Sequence, residues 1–387
     1  MISPERETRS PASTPPYRSP VPIPNVVHER IVRVLLCLLG MLWPAAVSAD
    51  VIEVPAESST IQEAVDAASE GDTILVAAGV YDDYRTRTLE GPTSSVEIAA
   101  NVFLDKPVFL TSEDGAEDTV ILGSGLGPVI ACSLVQGGTV RGFTISGGSI
   151  DETKLDGGGG IYCEWSDLNI SANIIEDNTA PFGGAIALFS GSTSEIRDNT
   201  IRGNVGEAYG GAIAISEGSV SIIEGNVFAD NEASVNGGAL FFTGTASIIV
   251  QGNTIVGNSA VAGSALFCRN GTNVTFSRNI VAFGVGNSAV FCDTLGTAIP
   301  CVLASTCNNF WSNGGNNLAG CPAGEGDIDA DPLFCSYDTG DYTLCVFSPS
   351  VGVADDCGLR GALPAACWNC PAEARRLTWG LLKTRYR

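Results

Sequence analysis

The chain has 387 residues, of which only 16% are charged and 46 are glycine, and it carries a formal net charge of −23 with a sequence pI near 4.2. Residues 1–49 hold five Arg and three Glu, so a chain beginning at Asp50 would carry −25. A field of that sign makes nucleic acid, anionic membrane and acidic polymers poor partners unless calcium bridges them, and it favours solubility and divalent cations.

In chain order, residues 1–26 are rich in Pro, Ser and Arg and show no periodicity. Arg30 and Arg33, an apolar run over 34–43 and Val47-Ser48-Ala49 ahead of Asp50 read as a signal peptide. The run is too short to span a bilayer, so no membrane span is expected after cleavage. The length ahead of Arg30 suggests a translation start downstream of Met1. Residues 51–58 read as a strand, and 60–68 as a short amphipathic helix with Thr60 and Glu63 placed as a capping box. Strand patterns follow at 71–76 and 79–81. A polar insertion over 82–96 carries Tyr84, Arg85 and Arg87; a second, over 147–157, carries Asp151, Glu152, Lys154 and Asp156. Between them, 98–122 holds two imperfect copies of the pattern that dominates the middle of the chain.

That pattern is a repeat. Blocks opening at Gly158, Gly183, Gly210, Gly237, Gly263 and Asn287 follow one another at intervals of 25, 27, 27, 26 and 24 residues. They begin Gly-Gly-Gly-Ile-Tyr-Cys, Gly-Gly-Ala-Ile-Ala-Leu, Gly-Gly-Ala-Ile-Ala-Ile, Gly-Gly-Ala-Leu-Phe-Phe, Gly-Ser-Ala-Leu-Phe-Cys and Asn-Ser-Ala-Val-Phe-Cys. An Asn recurs at 173, 199, 226, 253 and 279, and a second at 178, 204, 231 and 258. Short alternating apolar runs separated by Gly, Asn and Asp are strand and turn chemistry, and no block holds a helical period. Leucine-rich, ankyrin and tetratricopeptide arrays are thereby excluded. Each block predicts one turn of a stacked coil whose apolar side is buried only by its neighbours. Two interior columns are expected, Val140, Ile170, Ile196, Ile223, Val250 and Phe276, and Ile145, Ile175, Ile201, Phe228, Ile255 and Val281. The Asn columns suit turns, and their amides can bond along the stack.

These glycine-opened, asparagine-punctuated blocks resemble the right-handed parallel β-helix proteins of the pectin-lyase-like superfamily, over about residues 59–367. The resemblance implies an all-β solenoid in which the helix at 60–68 plugs the first coil, and a secreted or cell-surface bacterial protein. It says little about function, because that scaffold carries lyases, hydrolases, epimerases, adhesins and inert spikes. The division expected is a signal peptide with its leader over 1–49, a β-helix over 50–292 with regular turns at 158–292, cysteine-rich last turns and cap over 293–370, and a basic tail over 371–387. The tail resembles short terminal segments of some secreted bacterial β-helix proteins, and a surface-attachment role is one reading of it.

The only His is His28, ahead of the apolar run, so a chain beginning at Asp50 has no histidine triad, base or metal ligand. Polygalacturonase-like relatives need such a His. Pectate-lyase-like relatives use calcium carboxylates and an Arg base; Arg197, Arg202 and Arg278 are available, but Arg197 stacks beside Glu224 and Arg202 beside Glu176, which predicts ion pairs between turns. Asp177 and Asp230 share a column two turns apart, about 9.6 Å by strand spacing, and are the candidate catalytic carboxylates of an inverting glycosidase. The candidate binding residues are Tyr84, Arg85 and Arg87 in the first insertion, and the aromatics Trp165, Phe182 and Tyr209. Asp327, Asp329 and Asp331 alternate in an extended stretch and form the candidate calcium site; no other cofactor is implied. Nine of the 13 cysteines lie from Cys292 onward, which in an exported chain argues for disulfides. Local pairs Cys307 with Cys321, Cys335 with Cys345 and Cys357 with Cys367 are expected, and Cys268 with Cys292 is a further possible pair across one strand spacing. Three readings stay open: a monomeric, non-catalytic binder of a polysaccharide or cell-surface glycan, a polysaccharide lyase or glycoside hydrolase, and a structural spacer or adhesin.

Overall fold

The computed structural model describes residues 49–91, 95–150, 155–294, 299–352 and 356–368. The leader and signal pattern, residues 151–154 of the second insertion (with Asp151, Glu152 and Lys154), Cys370 and the basic tail lie outside the described residues.

Three parallel sheets run the length of a coil, of ten, nine and nine strands, each strand paired with its counterparts one turn away. The register follows the repeat: Val140 pairs with Ile170, Ile170 with Ile196, Ile196 with Ile223, Ile223 with Val250 and Val250 with Phe276 in the first sheet. Ile145, Ile175, Ile201, Phe228, Ile255 and Val281 align likewise in the second. Both columns are buried, because alternate strand residues point into the coil and the next turn covers them.

Two asparagine ladders hold the corners. Asn173, Asn199, Asn226, Asn253, Asn279 and Asn308 are linked in series, the backbone N–H and side-chain Nδ2 of each donating to the Oδ1 of the next at 2.9–3.1 Å. The Nδ2 groups also donate to carbonyls of the preceding turn, as Asn226 does to Ile196. Asn178, Asn204, Asn231 and Asn258 form the second ladder. The block glycines are needed for their conformation and for space. Gly183 has φ 61°, and a Cβ there would collide with the Ile186 carbonyl.

At the amino-terminal end the helix Ile61–Ala67 buries Ile61, Ala64 and Val65 against the first turn, as the sequence predicts. Thr60 Oγ1 caps it by accepting from the Glu63 N–H, while the Glu63 carboxylate is engaged by Ser59 and Arg85. At the other end the cysteine-rich cap expected from the sequence is built as a sheet of its own. Strands Phe334–Ser336, Asp341–Cys345 and Ala365–Cys367 form a separate small sheet that folds back along the outside of the second sheet. It packs Phe334, Tyr342 and Leu344 on Val227, Ala229, Val256, Ile280 and Ala282.

The disulfides differ from the local pairs expected. They are Cys268–Cys301, Cys292–Cys321, Cys307–Cys357 and Cys335–Cys367, and Cys345 is also disulfide-bonded. Their sequence separations are 29–50 residues. In a coil, residues about one turn apart are neighbours, whereas Cys307 and Cys321, half a turn apart, lie on different sides. The Sγ atoms of Cys268, Cys292 and Cys301 lie within 4.8 Å of one another, so Cys268 had two partners in reach and bonds the one on the following loop.

Removing one link of a buried ladder strands N–H groups on the adjacent turn, at about 1–3 kcal/mol for each unsatisfied group. Asn226→Ala is therefore expected to lower unfolding free energy by about 3 kcal/mol or more in urea titrations. Arg202→Ala, which breaks the exposed pair with Glu176, is expected to stay within about 1 kcal/mol.

Candidate binding groove

In the third sheet the aliphatic residue that opens each triplet, such as Ile130, Ile161 and Ile186, points into the coil and the residue after it points out. Its outward column reads Phe103, Ala131, Tyr162, Ala187, Ala214, Phe241, Phe267 and Phe291 from turn to turn. On an open surface these rings would be wet, but the first seven residues are buried. The two insertions cover the amino-terminal part. Strands Arg85–Glu90 and Ser95–Ala100 pair antiparallel as the two arms of a hairpin that lays Leu89 and Ile98 on Phe103, Ala131 and Tyr162, together with Ile150 and Leu155 from the second insertion. Along the side runs a narrow ribbon of strands Thr179–Phe182, Val205–Tyr209 and Glu232–Ala233.

From that ribbon Phe182 and Tyr209 stack at 5.2 Å, and an aromatic file continues to Phe241, Phe267 and Phe291 with centroid spacings of 4.7, 5.8 and 5.1 Å. At the other end Tyr162 meets Phe189 edge to face at 6.0 Å. Between the two groups stand Ala187 and Ala214, where the column has no ring. The gap is a cavity of about 210 Å³, walled by Tyr162, Phe182, Phe189 and Phe241 and edged by the carboxylates of Asp156, Glu164 and Glu217. No Lys or Arg is among its lining residues. Glu164 is oriented from within the wall: Tyr162 donates its hydroxyl to Oε2 at 3.2 Å, and Ser190 donates to Oε1 at 3.4 Å. Burial, reinforced by the Glu164 charge, pushes the Tyr162 phenol well above its ordinary range, so it remains a neutral donor. Arg269 lies one turn beyond, its guanidinium 5.4 and 5.2 Å from the Tyr209 and Phe241 ring centres.

The sequence-derived candidates divide accordingly. Phe182 lines the cavity and Tyr209 supports it from behind. Trp165 is exposed at the neighbouring corner and is not part of the lining. Arg85 and Arg87 are turned to the capping helix, where Arg85 meets Glu63 and Arg87 meets Asp66; Tyr84 beside them is exposed. Burial acts against the Asp66 charge, but hydrogen bonds from Arg87 and Gln62 outweigh it and hold the carboxyl below its ordinary range. These arginines therefore fasten the hairpin to the helix. The ion pairs expected between turns, Arg197 with Glu224 and Arg202 with Glu176, are present.

The two candidate catalytic carboxylates are not brought to one cleft. Asp177 and Asp230 occupy left-handed turn positions, φ 55° and 54°, and each leans its Oδ1 towards the glycine of the next turn, Gly203 and Gly257. That recurrence is turn chemistry. Asp230 alone lines a second cleft, about 480 Å³, under the folded-back terminal sheet, with Arg202, Tyr337, Asp338 and Tyr342. Burial raises its carboxyl above the ordinary aspartate range. Burial and the Asp230 charge together push Tyr342 up to about 12.

The three aspartates of the candidate calcium site are not gathered into one ligand set among the described residues. Asp327 ends the first asparagine ladder: its Oδ1 accepts from the backbone N–H and Nδ2 of Asn308, and its Oδ2 accepts from Ser305 and the Gly324 N–H. Asp331 Oδ1 accepts from the Leu333 N–H.

Residues 134–281 match the family model of the right handed beta helix region. The protein is a right-handed parallel β-helix. No curated protein sequence matches the chain. Solved structures with a similar course include pectate lyase Pel9A, with 11% identity, TM-score 0.44, and coverage of 83% of this chain and 96% of the other. The A-module of the Azotobacter vinelandii mannuronan C-5 epimerase AlgE6 has 14% identity, TM-score 0.27 and coverage of 70% and 94%. ORF18 of Geobacillus virus E2 has 12% identity, TM-score 0.24 and coverage of 80% and 64%. Within this β-helix, the cavity residues missed in the sequence are Tyr162, Glu164, Phe189, Glu217 and Phe241. For Tyr162 and Phe241 the signal is there in the repeat, as the middle residue of each Ile-Tyr-Cys, Ile-Ala-Leu, Ile-Ala-Ile and Leu-Phe-Phe opening changes from ring to methyl and back; Glu164, Phe189 and Glu217 carry no such signal.

A group whose carboxyl is raised in the folded state favours folding fully below its unfolded value, ordinarily 3.8 here, and loses that contribution as pH rises through the folded value. Asp230→Asn keeps a side chain that tolerates the left-handed turn and removes the charge. It is expected to raise the thermal midpoint at pH 7 and to leave it unchanged at pH 3, as differential scanning calorimetry would read.

Proposed function

We propose that this β-helix is an extracellular, non-catalytic glycan-binding protein that seats one sugar ring in the cavity on the outer face of its third sheet. The observation that carries the reading is the gap at Ala214, where the outward column has no ring between Tyr162 and Phe241, edged by three carboxylates. Aromatic faces take the C–H face of a pyranose, and carboxylates accept hydrogen bonds from its hydroxyls. With no basic side chain in the lining, a neutral or amino-bearing sugar suits the site better than a uronic acid. The volume of about 210 Å³ falls below the ~300–1,000 Å³ of pockets that enclose a whole small ligand, which favours a single ring of a longer chain. Four disulfides among the described residues are consistent with an oxidising, extracellular setting. No helix among the described residues is long and apolar enough to cross a membrane.

A second reading, catalysis, is favoured by one observation: Asp230, with a raised carboxyl, faces Arg202 and two tyrosines in the terminal cleft. The two readings separate in one experiment, titration calorimetry against neutral, amino-bearing and acidic oligosaccharides with reducing-end and unsaturated-product assays on the same mixtures. Saturable binding without new ends is expected. Ala214→Phe fills the gap from the outward side and is expected to weaken binding at least tenfold, while Trp165→Ala leaves it unchanged. Product release that Asp230→Asn abolishes would establish the catalytic reading, and unaltered affinity in Ala214→Phe would remove the cavity from the argument.

A further inference from the structure

Of the 11 cysteines in the described residues, nine are disulfide-bonded, and the two left as thiols are Cys132 and Cys163. They are not scattered. Both project into the core from the third sheet, on adjacent turns, directly opposite one another in the parallel register. They belong to the inward column that continues through Leu188, Ile215 and Phe242 to Cys268 and Cys292, both of which are bridged. Their Sγ atoms lie 2.7 Å apart, inside the contact distance of two non-bonded sulfurs. Neighbouring strands run about 4.8 Å apart, within the ~4.4–6.8 Å range of Cα separations that a disulfide spans. Among the described residues, neither has a third cysteine within reach as Cys268 does.

We propose that Cys132 and Cys163 form a further disulfide, a staple across two turns inside the coil. The bond closes a loop containing the whole second insertion, and Cys163 is flanked by Tyr162 and Glu164, two walls of the cavity. The staple therefore fixes the strand that presents those walls on the turn where the chain leaves the coil and returns to it. In forming the bond the two thiols give up two protons and two electrons. The electrons reduce the disulfide of an exchange catalyst, or of a small-molecule disulfide such as oxidised glutathione, to two thiols. The step must precede closure of the core. In the closed core, the contact with Cys132 and then burial raise the Cys163 thiol well above its ordinary range, which disfavours the thiolate that exchange requires.

The test requires no variant and does not depend on the ligand. The full chain, produced through an oxidising compartment, is denatured at acidic pH without reductant, brought to neutral pH in excess maleimide and mapped by peptide mass spectrometry. The expected result is no maleimide on Cys132 or Cys163 and a linked peptide pair two hydrogens lighter than the two thiol peptides together. Maleimide on both residues in more than half of the molecules would overturn the proposal. A second measurement applies reductant to the native protein before alkylation. The staple is expected to survive conditions that open Cys307–Cys357, whose Cys357 is partly exposed; opening at the same reductant concentration would count against a bond enclosed by the core.

Discussion

Each turn of this coil has unpaired backbone on both sides until another turn lies on it. That constraint, satisfaction of one turn's hydrogen bonds only by its neighbours, governs the rest of the structure. Along the strands the backbone meets it unaided. At the corners the backbone bends away from its partners, and there the asparagine ladders supply what the strands cannot. Asn226 illustrates the economy of the device: its Oδ1 receives two donors from Asn199, and its Nδ2 reaches Ile196, Glu224 and Asn253. An amide can do this because it both accepts and donates, and because the ~4.8 Å stacking distance lets like residues meet like. The ladder must end where the turns end. It does so on Asp327, whose carboxylate has only to accept.

The same constraint separates the two faces of every strand. Inward positions are dictated by stacking, so Ile, Val, Leu and Phe interchange there without altering the register. Outward positions owe nothing to the stack, and that is where the turns differ from one another. On the second sheet the outward apolar residues Val227, Val256 and Ile280 are covered by the terminal sheet. On the third sheet the hairpin and the second insertion cover the first turns, the aromatic file covers itself, and two alanines leave the gap. A cavity on such a protein therefore needs no special backbone; it needs small residues in a column of large ones, with walls from the neighbouring turns and one edge, Asp156, from an insertion.

The interior was legible in the sequence because period and register are the same information in a solenoid. A repeat near 26 residues fixes which residues stack, and the columns, the asparagines and the Arg197 and Arg202 ion pairs followed from counting. The first insertion was legible as a departure but not as a hairpin, since its pairing is antiparallel and local, and its arginines bind Glu63 and Asp66, which counting along the repeat does not align with them. The cysteine pairing was misread for a related reason: proximity in sequence was used where proximity by turns applies. The cavity was half legible. Phe182 drew attention through its place beside the block glycines, but Tyr162, Phe189 and Phe241 sit within blocks whose sameness argues for structure, and only their change from turn to turn carries information.

That last point bears on how a recurring motif and a unique site coexist. Asp177 and Asp230 look like paired catalytic acids when the sequence is folded into columns, yet both are turn residues leaning over glycines, and only the terminal sheet makes Asp230 different by covering one side of it. Its raised carboxyl thus comes from an element outside the repeat. At the third-sheet cavity Asp156 obeys the same rule by arriving on an insertion, whereas Glu164 owes its place to Tyr162 and Ser190, residues in which these turns differ from their neighbours. In a stack of near-identical turns, chemical individuality is conferred from the side, by what is laid on a turn, and the residues to test are those that touch such an addition.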